Sequence, residues 1–269
     1  VLNNLKMSKI SFFSVLVMAI LVTACTTSTT EAEQEVWKVK VAVVIQDPFI
    51  DGQRAHEVLN TPGRDFKWND PWELNREYKK TLEELSGETV EYEIVEIIDS
   101  DTYFTYLRES GERLTEERVI ELMQEPDWQT LREEGSRFDY HEFVEYYGFA
   151  EKRDADEVHE VWVWTFPYGG MWESHMMGEG AFWLNSHPAE NPPCTEKLVI
   201  MGLNYERDLA CALESYGHRF ESVMMEVYGW WDYDNKSNID QLTTWELYAA
   251  YNKVYGKFEP GMAHIGNLH

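Results

Sequence analysis

The chain reads as an α/β protein: a mostly parallel sheet with helices on both faces, in three layers, followed by a helical C-terminal extension. Three observations carry this reading. WKVKVAVVIQDP (37–48), DEVHEVWVWTFP (156–167) and EKLVIMGLNYERD (196–208) are apolar runs rich in β-formers and too short for helices. Helical periodicities separate or follow them, and strand, helix, strand order forces parallel pairing. Runs that do not alternate polar with apolar residues are buried on both faces, so both faces need cover. The layering is Rossmann-like, although no Gly-rich dinucleotide fingerprint follows the first strand.

Taken in order, 37–48 is a buried strand ending at Asp-Pro. NDPWELNREYKKTLEELSG (69–87) is a helix with Asp70 as cap, Pro71 at its first position and Gly87 as its stop. TVEYEIVEIIDSD (89–101) is a second strand, alternating and then apolar. From about 103 to 157 the chain is helical and charged: TEERVIELMQE (115–125) starts on a Thr cap, and the aromatic stripe of DYHEFVEYYGF (139–149) belongs to helix packing. The strands at 156–167 and 196–208 follow. A long helix, 208–229, is capped by Asp208, with Leu209, Leu213, Tyr216, Phe220, Val223, Met224 and Val227 as its sheet-facing stripe. After a polar loop comes a last helix, about 241–256. DYDNKSNID in that loop has a superficial calcium-loop look, but Lys236 stands at a ligand position and the turn glycine is missing.

The opening segment does not enter the fold. Met7, Lys9, an apolar stretch from Ile10 to Val22 and small residues before Cys25 give the charge, apolar core and cleavage order of an export signal. Its tail resembles a bacterial lipoprotein signal, which makes Cys25 the lipidated first residue of a protein of the cell envelope, facing the periplasm or carried on the outer membrane. A spanning helix needs about 20 apolar residues, more than this stretch offers. Residues 1–25 are therefore expected to be signal, 26–35 a flexible tether and 36–269 one α/β domain. The close on HIGNLH, without a polar tail, suggests a reading frame cut short.

With 23 basic and 49 acidic residues the formal charge is −26, which repels phosphate backbones and excludes nucleic acid as a partner. A small molecule, a neutral glycan or a peptide is the easier ligand, and contact with a membrane is expected only through the lipid at Cys25. Cys194 precedes one strand and Cys211 lies one turn into the helix after it, too far apart for a bridge, so both are expected free and buried.

In open parallel sheets ligands bind beyond the carboxyl ends of the strands. Those ends carry Asp47, then Asp99 and Asp101, then Tyr168, Gly169, Gly170 and Glu173, then Asn204, Tyr205, Glu206 and Arg207. Glu173 stands out, set among Phe166, Tyr168 and Trp172 and among glycines that permit positive φ or close backbone approach. Rings around a carboxylate desolvate it and suit it to proton transfer; the structural alternative is a loop glutamate held by Arg207. On the long helix Glu214, His218 and Glu221 share one face. They have the ligand types for a divalent metal such as Zn, with His269 as a further imidazole, or they form ordinary ion pairs. The expectation is that 47, 173, 206 and 218 converge on one rim.

The order QDPFIDGQRAHEVL, PYGGMWESHMMGEGAFWLNS, NYER, ESYGHRFES and GNLH resembles a group of uncharacterised secreted bacterial proteins. The resemblance runs over nearly the whole mature chain. It implies that Glu173, Asn204, Glu206, Arg207, Glu214, His218, Arg219, Glu221, Asn267 and His269 are pattern positions, that His175 is not, and that the chain continues past GNLH. It implies no activity.

Two functions follow as expectations. One is a surface hydrolase of a neutral polysaccharide or peptide. Glu173 or Glu206 is its acid or base, Arg207 and Asn204 offset developing charge, and His218 is a metal ligand or second proton carrier, with Asp47, Tyr168, Trp172 and Asn204 meeting the substrate. The other is a capture protein without catalysis, whose Trp172, Trp183, Trp230 and Trp231 stack on sugars. A serine or cysteine nucleophile is disfavoured, since WES and FES lack the glycine-flanked elbow.

Overall fold

The computed structural model describes residues 36–60, 67–124 and 135–228. The signal segment, the tether, the calcium-like loop, Trp230, Trp231, the expected last helix, His264, Asn267 and His269 lie outside them. The first elements are β1 (Trp37–Ile45), β2 (Phe49–Ile50), β3 (Gln53–Arg54), α1 (Ala55–Val58), α2 (Pro71–Leu85) and β4 (Val90–Asp99). The middle holds β5 (Thr105–Leu107), α3 (Glu116–Gln124), β6 (Ser136–Phe138), α4 (Tyr140–Tyr146) and α5 (Phe149–Asp154). Then come β7 (Glu160–Thr165), β8 (Ser174–Met177), β9 (Leu198–Asn204) and α6 (Leu209–Tyr228).

The result is an α/β fold around a mixed, mostly parallel five-stranded sheet in the order β4-β1-β7-β9-β8. β1 pairs in parallel with both β4 and β7, and β7 with β9; β8 alone runs antiparallel, against β9. Period-two geometry divides the core. Val41, Val43 and Ile45 share one cluster with Trp162 and Trp164, and Ala42 and Val44 share the other with Val161 and Val163. Leu74, Tyr78 and Leu82 of α2 join the first cluster, and Tyr140, Phe143, Val144 and Phe149 of α4 and α5 join the second.

The helix signals hold for physical reasons. Asp70 accepts the backbone N–H groups of Trp72 and Glu73 with Pro71 at the first position, and Asp139 accepts that of Glu142. Tyr78 rests edge-on against Trp162 and Trp164, with centroids 4.9 and 5.9 Å away. The aromatic stripe of 139–149 is packing as expected, but Gly148 at φ 67 breaks it into two helices.

β4 forms within the segment read as the second strand and is an edge strand among the described residues, with Val95 and Ile97 exposed. One expectation needs correction in part. On α6 Leu209, Leu213, Tyr216 and Val223 of the expected stripe pack on the core together with Ala212, whereas Phe220 and Val227 are 42 % and 65 % exposed. Arg219 takes the sheet-facing place and reaches Glu160 of β7, which turns Phe220 about 100° away toward solvent.

Candidate functional site

The strand order reverses at β1: the chain goes to one side for β4 and to the other for β7. The crevice beyond the carboxyl ends of those strands is where such sheets place ligands. Here its floor is tied by one buried side chain, Gln46. Thr165 Oγ1 donates to Gln46 Oε1 at 2.6 Å, Gln46 Nε2 donates to Thr102 O at 2.8 Å, and Tyr205 O–H donates to Gln46 O at 3.1 Å. Cavities open on either side of this plug.

The first, of about 150 Å³, lies beyond β7 and β9 and is lined by Tyr168, Glu173, Asn204, Arg207, Cys211 and Ser215 among others. Its position follows from local sequence. Glu173 immediately precedes β8, whose start is fixed where Glu173 O accepts Gly202 N–H at 3.2 Å. Gly202 is required for that approach, because a Cβ there would lie 2.5 Å from Trp172 O. Gly170 adopts φ +81 with the Arg137 backbone 2.6 Å from where a Cβ would stand, so glycine is needed in this loop, as the sequence suggested. Tyr168 is a non-glycine residue at φ 60, a conformation that costs energy and clusters at functional sites. The Glu173 carboxylate accepts a hydrogen bond from Asn185 Nδ2, and Asn204 Oδ1 accepts Glu206 N–H at 2.9 Å.

The rings divide differently from the expectation. Phe166, buried and edge-on to Tyr103, and Tyr168, 47 % exposed, both line the cavity, whereas Trp172, 53 % exposed, does not. The backbone N–H of Trp172 donates to Tyr140 Oη at 2.7 Å.

The second site lies on the β1 side. Asp47, wholly buried at its side chain, holds His56: Oδ2 is 2.6 Å from His56 Nδ1, and Oδ1 accepts His56 N–H at 3.1 Å. Asp51 and Gly52, at φ 51 and 85, make the tight β2–β3 turn that folds His56 back onto Asp47. Burial raises the Asp47 pKa, and His56 and Arg54 oppose the rise. With Nδ1 held by a carboxylate, the ring is fixed in one tautomer and orientation and presents Nε2. Trp72 meets the imidazole edge-on at 6.2 Å. Arg54 donates to Asp47 O at 2.8 Å, pairs with Asp99 and lies 4.1 Å from the Phe49 centroid. Beyond Asp47 opens an acidic recess of about 530 Å³ lined by Asp99, Asp101, Glu116 and Glu117. Burial, then the charges of Asp101 and Glu117, raises the Glu116 pKa.

Of the residues the sequence singled out, Tyr168, Glu173, Asn204 and Arg207 share the first cavity. Asp47 lies on the other side of Gln46, and Glu206 and Trp172 do not line the cavity. His218 does not converge with them, since its neighbour Arg219 reaches Glu160 at the opposite end of β7. His218 Nδ1 is 3.4 Å from Glu221 Oε2, which is the ion-pair alternative. Among the described residues no three His, Cys, Asp or Glu side chains are placed to hold a metal ion; His269, considered together with Glu214, His218 and Glu221, lies outside them.

The cysteines are free, as expected, but only Cys194 is buried; Cys211 is partly exposed and lines the first cavity. Sequence reasoning missed His56, although the Asp-Gly turn between Asp47 and His56 in QDPFIDGQRAH was the available signal. No family model, no curated protein and no solved structure matches this chain.

Proposed function

We propose that this chain is an envelope lipoprotein with a three-layer, Rossmann-like domain that hydrolyses a neutral glycan or peptide at the carboxyl edge of its sheet. The layering is supported by the two core clusters on opposite faces and by the reversal of strand order at β1. The hydrolytic reading rests on one observation: the His56 imidazole is oriented at 2.6 Å by the buried Asp47 carboxylate at that edge.

In this reading His56 Nε2 accepts a proton from the attacking water and returns it to the leaving group. Asp47 holds the ring and stabilises the imidazolium that forms between the two transfers. Glu173, Asn204 and Arg207 bind the substrate on the other side of the Gln46 plug. A glycosidase of the two-carboxylate type is not favoured, because Glu173 is the one carboxylate among the described residues that line its cavity.

The test is turnover of a panel of neutral oligosaccharides and peptides. His56→Gln is expected to lower kcat by about 10²–10⁴-fold with the circular dichroism spectrum unchanged. Turnover that survives His56→Gln would remove the assignment.

A second reading, capture of sugars without catalysis, is favoured by the exposed ring of Tyr168, which lines the first cavity, and by the exposed Trp172, next in the chain to the cavity-lining Met171 and Glu173. Saturable binding of an oligosaccharide without product, weakened by Trp172→Ala and indifferent to His56→Gln, would establish it in place of the hydrolase.

A further inference from the structure

A third pocket, of about 260 Å³, lies away from the strand ends and is lined by Arg137, Asp139, Tyr140, His141, His175 and Ala189 among others. His175 is 6 % exposed and stacks on the Tyr140 ring at 4.0 Å. Its hydrogen bonds fix its tautomer. Ser186 Oγ–H donates to Ser174 O at 2.9 Å and so has no proton left for the imidazole 3.0 Å away. His175 Nδ1 must therefore be the donor to Ser186 Oγ, which leaves Nε2 a bare lone pair. That atom is buried without any hydrogen-bond partner, a condition that proteins rarely tolerate without a reason.

His141 has the complementary arrangement. Its Nε2 faces two carbonyl oxygens, Glu190 O at 2.9 Å and Asn191 O at 3.2 Å, so Nε2 carries the proton and Nδ1 of the neutral ring is the lone pair. The Arg137 guanidinium is engaged over the Tyr106 ring, 5.3 Å from its centroid.

We propose that His175 Nε2 and His141 Nδ1 form a two-imidazole site for a zinc or copper ion, whose remaining coordination positions are open to water or to a further ligand. Imidazole favours these metals, and the two hydrogen-bonded ring nitrogens supply the outer support that metal-bound histidines usually have. The site is independent of the hydrolase reading.

The experiment uses the purified full chain, freed of metal with a chelator and titrated separately with Zn(II) and with Cu(I), by calorimetry and by competition against a chromophoric chelator. One equivalent of either ion is expected to bind, with X-ray absorption showing imidazole scattering. His141→Gln, at a partly exposed helix position that should not disturb folding, is expected to weaken that affinity at least a hundredfold, and His175→Gln to do the same. With 8 histidines in the chain, binding elsewhere must be told apart. Stoichiometric binding unchanged in His141→Gln, or no stoichiometric binding of either ion by the unmodified chain, would overturn the proposal.

Discussion

Arg219 on α6 and Glu160 at the start of β7 form a buried ion pair, with Nη1 2.7 Å from Oε2 and Trp162 Nε1–H donating to the same oxygen at 3.1 Å. Their side chains are 14 % and 7 % exposed. Burial raises the Glu160 pKa, but the charge and hydrogen bonds of Arg219 and the indole N–H prevail and leave it lowered. A lowered carboxylate contributes stability above its unfolded pKa, and that contribution is lost as pH falls through the folded value.

Arg219→Met is therefore expected to destabilise the fold by about 3–5 kcal/mol at neutral pH, because it leaves a buried carboxylate unpaired. Glu160→Leu combined with Arg219→Met should cost much less. Urea unfolding at a series of pH values checks both. The unmodified chain should lose stability relative to the double variant as the solution is acidified below the ordinary carboxylate range.

Gly202→Ala is expected to destabilise by about 1–3 kcal/mol, the usual cost of overpacking. The added carbon meets the Trp172 carbonyl at 2.5 Å and the Met171 side chain at 2.8 Å. Relief requires β8 and Glu173 to move, so ligand binding in the first cavity should weaken together with stability. A variant that melts lower yet binds unchanged would place the strain elsewhere.

Thiol chemistry should separate the two cysteines of the domain. Burial pushes the Cys194 thiol up to about 11, whereas Cys211 is only partly buried. Iodoacetamide followed by peptide mapping is expected to label Cys211 well before Cys194 in the native protein. A ligand of the first cavity should slow the labelling of Cys211 and leave that of Cys194 alone.

Asp70→Ala is expected to cost about 1 kcal/mol, since the carboxylate satisfies two free backbone donors at the start of α2. Thermal unfolding checks this. Asp70→Asn keeps a side-chain oxygen at the cap and should retain most of the stability that the alanine variant loses.

The strands and long helices were legible because their burial pattern is written in the spacing of apolar residues. β1, β7, β9, α2, α3 and α6 all fall inside the segments read from the sequence. What spacing cannot show is an exception to its own rule. Arg219 occupies an inward position on α6, so Phe220, drawn into the apolar stripe of that helix, faces solvent while Leu209, Leu213, Tyr216 and Val223 keep their places on the core. The site was half legible for a similar reason. Strand ends are found by following the chain, which brought out Glu173, Asn204 and Arg207. The pairing of His56 with Asp47 depends on a turn of two residues, and the lone pair of His175 depends on a hydroxyl eleven residues away. Neither leaves a periodic trace.

Among the described residues, β4 has one side of a ten-residue strand without a strand neighbour, with Val95 and Ile97 exposed near its end. An unpaired rim of this kind is a template for another copy of the chain, and acidic side chains along it are a common guard against fibrillar self-association. Glu91 and Glu93 project from that strand into solvent. Replacing these glutamates with apolar residues is therefore expected to turn the rim into a nucleus for aggregates.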